Sequence, residues 1–172
     1  IQQITNKSMP FVEGDICDLA KLRSLFANHS IDAVIHFAAL KAVGDSVANP
    51  NVYYQNNLTG LINLLTVMKE FDCRFLIFSS SATVYDPENE PPFLEGMSEN
   101  PINPYGRTKL FSEKIIKDLA DSWLNFRYML LRYFNPVGAH CSGELGEAPQ
   151  KTPNNLMPYI ADVASGKREK LY

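Results

Sequence analysis

Tyr105 and Lys109 are the two residues whose types and spacing most directly suggest catalysis. They lie four positions apart, so on a helix both side chains share one face. Asn103 and Pro104 precede them and predict a helix start, with Asn103 as the N-cap and Pro104 at the first helical position. An ammonium about 4 Å from a phenol attracts its ionised form by about 4 kcal/mol, which would bring the pKa of the phenol from about 10 toward neutrality. The pair therefore predicts a general base, although the same spacing also occurs by chance on surface helices.

Three serines directly follow an apolar run that is typical of a buried strand. Residues 75–78 are continuously apolar, as a parallel strand covered on both faces requires, and Ser79, Ser80 and Ser81 come next. In open parallel sheets, ligands bind at the carboxyl ends of the strands. The three serines therefore strengthen the catalytic interpretation of the tyrosine and the lysine.

The elements that must position these residues alternate between short apolar runs and longer amphipathic patterns. Strands are predicted at residues 11–13, 33–38, 75–78 and 128–131. Helices are predicted with their caps or first residues at Asp18, Pro50, Pro104 and Asn154, the last one ending at Gly166. The segments 86–104 and 134–153 are predicted loops. This alternation predicts an α/β fold, a doubly wound parallel sheet of the Rossmann-like kind.

Composition and charge exclude several function classes. The chain has 172 residues, 45% of them hydrophobic, and a net charge of -3, which indicates a soluble globular domain with a real core. The slight acidity argues against nucleic-acid binding, and no apolar run is long enough to cross a membrane. The polar first residues contain no secretory signal, and three widely spaced cysteines form no zinc or disulfide pattern, so a cytoplasmic location is expected. His36 is predicted to be a core residue, and no metal site is expected.

Six motifs in a fixed order carry a resemblance to a known family. They are Asp15-Ile16, residues 36–44, residues 79–85, Tyr105 with Lys109, residues 131–140 and residues 153–159. From about Phe11 to Leu171 the chain resembles the UDP-glucose 4-epimerases, members of the extended short-chain dehydrogenase/reductase superfamily. The resemblance implies NAD-dependent interconversion of UDP-galactose and UDP-glucose in galactose metabolism. In that reaction, hydride passes from C4 of the sugar to NAD, the 4-keto sugar turns over, and hydride returns to the other face.

The resemblance also implies a role for each catalytic residue. Tyr105 would take the proton of the 4-hydroxyl and later return it, while Lys109 would keep Tyr105 acidic and hold the nicotinamide ribose. Ser81 would hydrogen-bond the same oxygen and pass on a proton; the alternative, a strand-end serine that satisfies loop backbone, is disfavoured opposite such a pair. The resemblance also implies that Ser79 contacts the cofactor and that Thr83 contacts the substrate. Support for these two roles is weaker, because packing of the loop explains either residue equally well.

The cofactor and substrate residues follow from the same motifs. The resemblance implies NAD contacts by Asp15, Ile16, Phe37, Ala38, Ala39, Leu40, Lys41, Asn56, Tyr133 and Phe134. It implies contacts to the nucleotide-sugar by Asn135, Asn155 and Leu156. Asp15 and Ile16 would flank the adenine, although a turn aspartate after Gly14 is an alternative for Asp15. Lys41 would reach a ribose or a phosphate, and Asn56 would support the cofactor loop.

One departure from the family is large. A Gly-rich phosphate-binding turn should open a dinucleotide-binding fold, and the chain has none. We therefore expect an internal fragment, truncated at both ends and inactive alone. Residues 1–150 would be a partial NAD-binding domain without its first strand–helix–strand unit, and residues 151–172 would begin the nucleotide-sugar-binding region. The full-length enzyme is expected to be a homodimer, although the sequence leaves the oligomeric state open.

Two alternatives stand beside the epimerase. A related nucleotide-sugar dehydratase needs an acid beside the catalytic tyrosine to expel water, and the stretch from Ser81 to Val84 contains no carboxylate. A non-catalytic nucleotide-binding module is favoured by the missing glycine turn if the chain is complete, and disfavoured by the intact Ser81, Tyr105 and Lys109. The range of accepted UDP-sugars, N-acetylated ones in particular, stays open on the sequence.

Overall fold

Residues 2–147, 153 and 155–171 are described in the structure, a computed structural model. The chain forms two compact units: one comprises Val12–Phe134, and the other comprises Ile1–Phe11 with Asn135–Tyr172. The first unit contains the sheet, most of the helices and all of the predicted catalytic residues. The boundary expected near residue 150 stays a prediction.

Three parallel strands form the sheet of the larger unit. They are β1 (Ala33–His36), β2 (Phe75–Ser81) and β3 (Arg127–Tyr133), in the order β1-β2-β3. The register pairs His36 with Phe78, and Ser81 with Tyr133. The strands predicted at 33–38, 75–78 and 128–131 are thus confirmed with shifted ends, and the three serines form the last part of β2. Because the strands are parallel, their carboxyl ends lie at one edge of the sheet.

The α-helices of the described ranges are α1 (Gln2–Thr5), α2 (Leu19–Asn28), α3 (Val43–Ala48), α4 (Pro50–Tyr54), α5 (Gly60–Glu70), α6 (Pro104–Ser122) and α7 (Leu156–Ala164). The sequence predicted α2 and α4 to α7, whereas α1 and α3 were not predicted. The predicted caps are confirmed: Asp18 accepts a hydrogen bond from the amide of Lys21 at 2.9 Å, and Asn103 accepts one from the amide of Gly106 at 2.8 Å. The helix predicted from Pro50 contains a π-helical turn, Gln55–Thr59, between α4 and α5.

One hydrophobic core joins α2, α5, β2 and α6. Leu61 and Met68 of α5 and Ile116 of α6 are fully buried against Phe78 of β2. Burial of each such side chain contributes about 1.5–3 kcal/mol. The buried positions of α5 recur every three or four residues, so one face of this helix is apolar and packs inward. This core fixes α6, which carries the tyrosine and the lysine, against the strand that carries the serines.

The strand predicted at residues 11–13 is wrong. This segment has no regular structure, and the side chain of Phe11 is 82% exposed. A strand is stabilised by hydrogen bonds to a neighbouring strand, and no strand of the described chain pairs with this segment. An apolar composition is therefore not sufficient to predict a strand where the segment has no neighbouring strand to pair with.

The two faces of the sheet differ in their cover. Ile35, Ile77 and Met129 are paired across the three strands and share the face opposite the core. Ile35 is 58% exposed and Met129 is 56% exposed. Within the described residues, this apolar face is therefore largely open, while the other face is covered by helices.

The second unit contains the helix predicted near the end of the chain. Asn155 is the N-cap residue of α7, and Gly166 follows the helix with a φ of 74°, a left-handed conformation that glycine favours. The predicted cap, Asn154, lies outside the described residues. Within residues 2–147, 153 and 155–171, none of the helices combines the length and the apolar character that crossing a membrane requires.

Candidate active site

The first turn of α6 lies against the tip of β2, and Gly106 permits this close approach. A Cβ at Gly106 would lie 2.6 Å from the carbonyl oxygen of Thr83. Any side chain would therefore push α6 away from the short 3-10 helix (Ala82–Val84) that follows β2. The amide of Tyr105 also donates a hydrogen bond to Ser46 Oγ at 3.2 Å. These contacts hold Tyr105 at the carboxyl edge of the sheet.

Ser81 is the polar partner of Tyr105. It is buried at the end of β2, and its Oγ accepts hydrogen bonds from the amide of Thr83 at 3.2 Å and from the hydroxyl of Thr83 at 2.9 Å. Burial raises the pKa of the Tyr105 phenol, and a hydrogen bond with Ser81 lowers that pKa in part. Ser81 therefore favours the phenolate, which is the form that a general base requires. The structure thus brings the predicted serine and tyrosine together.

Lys109 is buried on α6 but bonds to the backbone of β2. Its side chain donates from Nζ to the carbonyl oxygen of Ser79 at 2.6 Å, and Nζ lies 5.8 Å from the centroid of the Tyr105 ring. Burial lowers the pKa of Lys109 to about 8. In this structure burial dominates the pKa of Tyr105 and raises it, while Nζ is engaged by Ser79, so a role of Lys109 in lowering that pKa stays a prediction. Lys109 ties α6 to the strand that carries the serines.

A buried ionic cluster behind these residues was missed from the sequence. Glu113 is fully buried and accepts hydrogen bonds from Arg132 Nε at 3.0 Å, from Arg132 Nη2 at 2.7 Å and from the hydroxyl of Ser80. Arg132 also forms an ion pair with Glu99. The cluster therefore joins α6, β2 and β3 through Ser80, the residue before Ser81. Its signal in the sequence was Glu113 itself, a carboxylate four positions after Lys109 on the inward face of α6.

Many of the predicted cofactor residues line one cavity of about 740 Å³. Those that line it are Asp15, Ile16, Ala38, Ala39, Leu40 and Asn56. Asp15 Oδ1 accepts a hydrogen bond from the amide of Cys17 at 2.8 Å, so the turn interpretation of Asp15 accounts for one of its two carboxylate oxygens. Gly60 lets the start of α5 approach Ile16, because a Cβ there would lie only 2.5 Å from Ile16 Cγ2. The cavity is thus bounded by a turn, the loop after β1 and the π-helical turn.

The loop after β1 is held by side chains from the helix that begins at Pro50. Asn57 Oδ1 accepts from the amide of Leu40 at 2.9 Å, and Asn57 Nδ2 donates to the carbonyl of Leu40 at 3.0 Å. The hydroxyl of Tyr53 donates to the carbonyl of Ala42 at 2.9 Å. Asn56, which was predicted to support this loop, donates instead to Asn57 Oδ1 at 3.0 Å. The sequence missed Asn57 because its type does not distinguish it from the asparagine before it.

The remaining predicted residues are more exposed or lie elsewhere. Phe37, Ala38 and Lys41 are exposed on the loop after β1. Tyr133 pairs with Ser81 in the sheet, and the ring of Phe134 lies 5.6 Å from that of Phe93. Three predicted substrate residues belong to the second unit, so their part in a substrate site stays a prediction; they are Asn135, Asn155 and Leu156.

His36 is a buried core residue, as predicted. Its ring centroid lies 5.6 Å from that of Phe78, and only 6% of the residue is exposed. Burial, with a second contribution from the charge of Lys109, lowers the pKa of His36 to about 4, so the imidazole is neutral. In the part of the chain that the structure describes, no group of His, Cys, Asp and Glu side chains converges as a metal ion would need.

Comparison with known proteins assigns the family. The sequence profile of the NAD dependent epimerase/dehydratase family matches residues 2–172. The chain belongs to this family. Among its members, UDP-glucose 4-epimerase of Mus musculus is 51% identical over 99% of this chain, and UDP-glucose 4-epimerase of Bacillus subtilis is 50% identical over 99% of it. The chain covers 50% of each of these proteins, so it spans about half the length of the curated relatives it matches.

A solved member of the family shares the fold. The crystal structure of UDP-glucose 4-epimerase from Bifidobacterium longum in complex with NAD+ and UDP has a TM-score of 0.91 and 49% sequence identity. The match covers 98% of this chain and 51% of that one. This similarity confirms the Rossmann-like α/β fold that the alternation of strands and helices predicts.

Proposed function

We propose that this chain carries the catalytic residues of an enzyme that interconverts UDP-galactose and UDP-glucose by transient oxidation at sugar C4, with NAD as its cofactor. The supporting observation is the arrangement at the tip of β2, where Ser81 lowers the pKa of the Tyr105 phenol and Lys109 of the same helix is anchored at the Ser79 carbonyl by a 2.6 Å hydrogen bond. The relatives of Mus musculus and Bacillus subtilis, both UDP-glucose 4-epimerases, support the choice of substrate.

The size and the lining of the cavity both support NAD as its ligand. The cavity volume of about 740 Å³ lies within the usual range of ligand cavities, about 300–1,000 Å³. Apolar Ile16 and polar Asp15 would hold the adenine, residues 37–40 would line the dinucleotide, and Lys41 would reach a ribose or a phosphate. Asn56 lines the same cavity and supports the loop through its neighbour. When bound, NAD supplies a hydride acceptor for C4 and later the hydride that reduces the ketone.

The proton chemistry is assigned to Tyr105 and Ser81. Tyr105 takes the proton of the 4-hydroxyl while C4 is oxidised, and it returns the proton after the sugar has turned over. Thr83 donates twice to Ser81 Oγ, which fills its acceptor positions and leaves the hydroxyl proton of Ser81 for the oxygen of Tyr105. That bond offsets part of the pKa increase that burial causes in Tyr105. Lys109 keeps α6 aligned with β2 through Ser79 and would also hold the nicotinamide ribose.

The remaining predicted residues are assigned by family resemblance alone. Tyr133, Phe134 and Ser79 would lie at the nicotinamide end of the cofactor. Thr83 would contact the sugar, and the nucleotide-sugar would also be bound by Asn135, Asn155 and Leu156. Residues 1–150 would then be a partial NAD-binding domain, and residues 151–172 would begin a nucleotide-sugar-binding region.

A nucleotide-sugar dehydratase is the second candidate, because the matching family includes dehydratases. Elimination of water needs an acid that protonates the leaving hydroxyl. The residues that follow Ser81 are Ala82 and Thr83, and the hydroxyl of Thr83 is engaged with Ser81. This arrangement favours epimerisation over dehydration.

Product analysis tests the proposal. The full-length protein, purified with its bound cofactor, is incubated with UDP-galactose, and the sugars are followed by NMR. We expect UDP-glucose to form until a constant ratio is reached, without net consumption of NAD. A 4-keto-6-deoxy sugar would instead identify a dehydratase, and NAD binding without any conversion of the UDP-sugar would identify a non-catalytic module.

A homodimer and a cytoplasmic location complete the proposal. An apolar groove of about 560 Å³ lies between α5 and α6, where Ile62 is 48% exposed, and it offers a surface for a second copy. Ile62→Arg would place a charge there and should convert a dimer to a monomer in analytical ultracentrifugation. The location rests on the three free cysteines, which fit a reducing compartment, and fractionation of the source cells would test it.

A further inference from the structure

The carboxamide of Asn57 has all of its hydrogen-bonding positions filled. Oδ1 accepts from the amide of Leu40 at 2.9 Å and from Asn56 Nδ2 at 3.0 Å. Nδ2 donates to the carbonyl of Leu40 at 3.0 Å and to Thr108 Oγ1 at 3.1 Å. A carboxamide offers two acceptor positions and two donors, so this side chain is fully satisfied. Asn57 is also only 6% exposed, so water does not replace these bonds.

The pairing with Leu40 fixes which end of the carboxamide is oxygen and which is nitrogen. Leu40 presents one backbone donor and one backbone acceptor, and Asn57 answers each with the opposite group. An aspartate of the same shape would lose both donors, and a glutamine would be one methylene too long for a buried site. The position therefore requires asparagine for a geometric reason.

Thr108 continues this contact into the catalytic helix. It is fully buried, and its Oγ1 accepts from Asn57 and donates to the carbonyl of Tyr105 at 2.7 Å. A hydrogen-bonded chain therefore runs from the backbone of Leu40 through Asn57 and Thr108 to the backbone of Tyr105. One end of this chain lines the proposed cofactor cavity, and the other end carries the proposed base.

The π-helical turn places two consecutive asparagines in different surroundings, one at the cavity and one against α6. Asn56 and Asn57 are consecutive residues of the turn Gln55–Thr59; Asn56 lines the cavity, whereas Asn57 is buried against Leu40 and Thr108. Such turns are rare in helices and occur frequently at functional sites. The irregularity therefore lies where the helix meets both the cofactor loop and α6.

We propose that Asn57 is a positioning residue that transmits the position of the cofactor loop, through Thr108, to Tyr105. The inference rests on the proposed function, because it assigns Leu40 to the cofactor and Tyr105 to proton transfer. Asn57 touches neither the substrate nor the reacting atoms. It sets the distance between the loop and the first turn of α6.

Two substitutions at Thr108 test the link in the full-length protein. Thr108→Val keeps the shape, removes the hydroxyl and leaves both bonds between Asn57 and Leu40 in place. It should lower kcat about tenfold, as expected when a buried hydrogen bond is broken and a partner is left unsatisfied, with little change in KM or in NAD affinity. Thr108→Ser retains the hydroxyl and should restore most of kcat.

A double variant separates one coupled chain from two independent contacts. Asn57→Asp should weaken NAD binding and lower kcat together, because it loses the bonds to both sides. Adding Thr108→Val should then lower kcat by no more than about twofold, since the chain is already broken. Losses that multiply in the double variant, or a Thr108→Val variant with the kcat of the wild type, would overturn the proposal. If Asn57→Asp does not fold, the comparison of Thr108→Val with Thr108→Ser decides alone.

The wild-type measurements keep this inference separate from the proposed function. A wild-type protein that binds no NAD or converts no UDP-galactose would contradict the proposed function itself. An active wild type together with a fully active Thr108→Val variant would contradict only the role of Asn57. Calorimetric titration of NAD and thermal unfolding of each variant distinguish lost positioning from lost stability.

Discussion

The tip of β2 with the proposed catalytic residues and the proposed cofactor cavity differ in how their side chains are held. At the tip, Ser81 and Lys109 are buried and bonded to a turn and to a strand, and Glu113 joins α6 to both β2 and β3. At the cavity, Phe37 is 64% exposed, and Asp15 is bonded to the amide two residues further along the chain. Apart from the local bond of Ser81 to Thr83, these contacts at the tip join residues far apart in the sequence, whereas Asp15 and Phe37 at the cavity edge lie in a turn and a loop.

This difference indicates which property each region controls. Leaving a buried polar group without its partner costs about 1–3 kcal/mol, and more when that group is charged. Exposed residues away from such contacts usually change stability by about 0.5 kcal/mol or less. Substitutions at the tip should therefore affect chemistry and stability, and substitutions at the cavity edge should affect mainly cofactor affinity.

The largest effect is expected from Tyr105→Phe in the full-length protein. Loss of the proposed base should lower kcat by about 10²- to 10⁴-fold while NAD stays bound. Steady-state conversion of UDP-galactose and the NAD content of the purified variant measure the two properties. Tyr128→Phe is the matched control, because Tyr128 lies near the opposite end of β3 and loses the same hydroxyl. Near-normal turnover by Tyr105→Phe would remove Tyr105 from the mechanism.

The buried ion pair should give the largest effect on stability. Arg132→Met leaves the charge of Glu113 buried without its main partner, and it should lower the free energy of unfolding by about 3–5 kcal/mol. The double variant Glu113→Gln/Arg132→Met removes both charges and should recover much of that loss. Chemical denaturation of the three proteins measures the difference. A double variant as unstable as Arg132→Met would show that uncompensated charge is not the cause.

A smaller effect is expected on the pH dependence of catalysis. Because Ser81 lowers the pKa of Tyr105, Ser81→Ala should raise that pKa, so activity is lost at a higher pH as the solution is acidified. The acid limb of kcat against pH should therefore move to higher pH than in the wild type. Lys109→Met should lower kcat without moving this acid limb, because Nζ bonds Ser79. An equal alkaline shift in Lys109→Met, measured as kcat against pH, would support the role that the sequence predicted.

The smallest effect is expected at the cavity edge. Asp15→Asn keeps an oxygen for the amide of Cys17 and removes the charge proposed to face the adenine. Stability should change by about 0.5 kcal/mol or less, while the affinity for NAD should fall about tenfold, the usual value of a hydrogen bond to a charged group. Thermal unfolding and calorimetric titration measure the two quantities. A large loss of stability with unchanged affinity would reverse the contrast between the two regions.

Local signals predicted most of the fold. Asn103 and Pro104 mark the start of α6, and Asp18 marks the start of α2, because caps depend on residues within one helical turn. The apolar runs of β1, β2 and β3 were also sufficient to predict these three strands. Residues 11–13 failed because a strand is defined by its neighbour, which composition does not contain.

The site was predictable in its residues but not in its electrostatics. The spacing of Tyr105 and Lys109 placed both on α6, yet it did not reveal that Lys109 bonds the Ser79 carbonyl. Asn57 and Glu113 were missed because their partners, Thr108 and Arg132, are remote in sequence or lie on another element. Such partners are set by the packing of α6 against β2 and β3, which no local pattern encodes.

UDP-galactose that carries deuterium at C4 distinguishes transient oxidation at that carbon from other routes to UDP-glucose. The full-length protein is incubated with this substrate in ordinary water, and the UDP-glucose formed is examined for deuterium at C4. We expect the label to stay at C4, because it leaves as hydride and returns within one bound complex while only the hydroxyl proton passes through Tyr105. Loss of deuterium to water during conversion would overturn the proposed mechanism, because it would mean that C4 is deprotonated rather than oxidised.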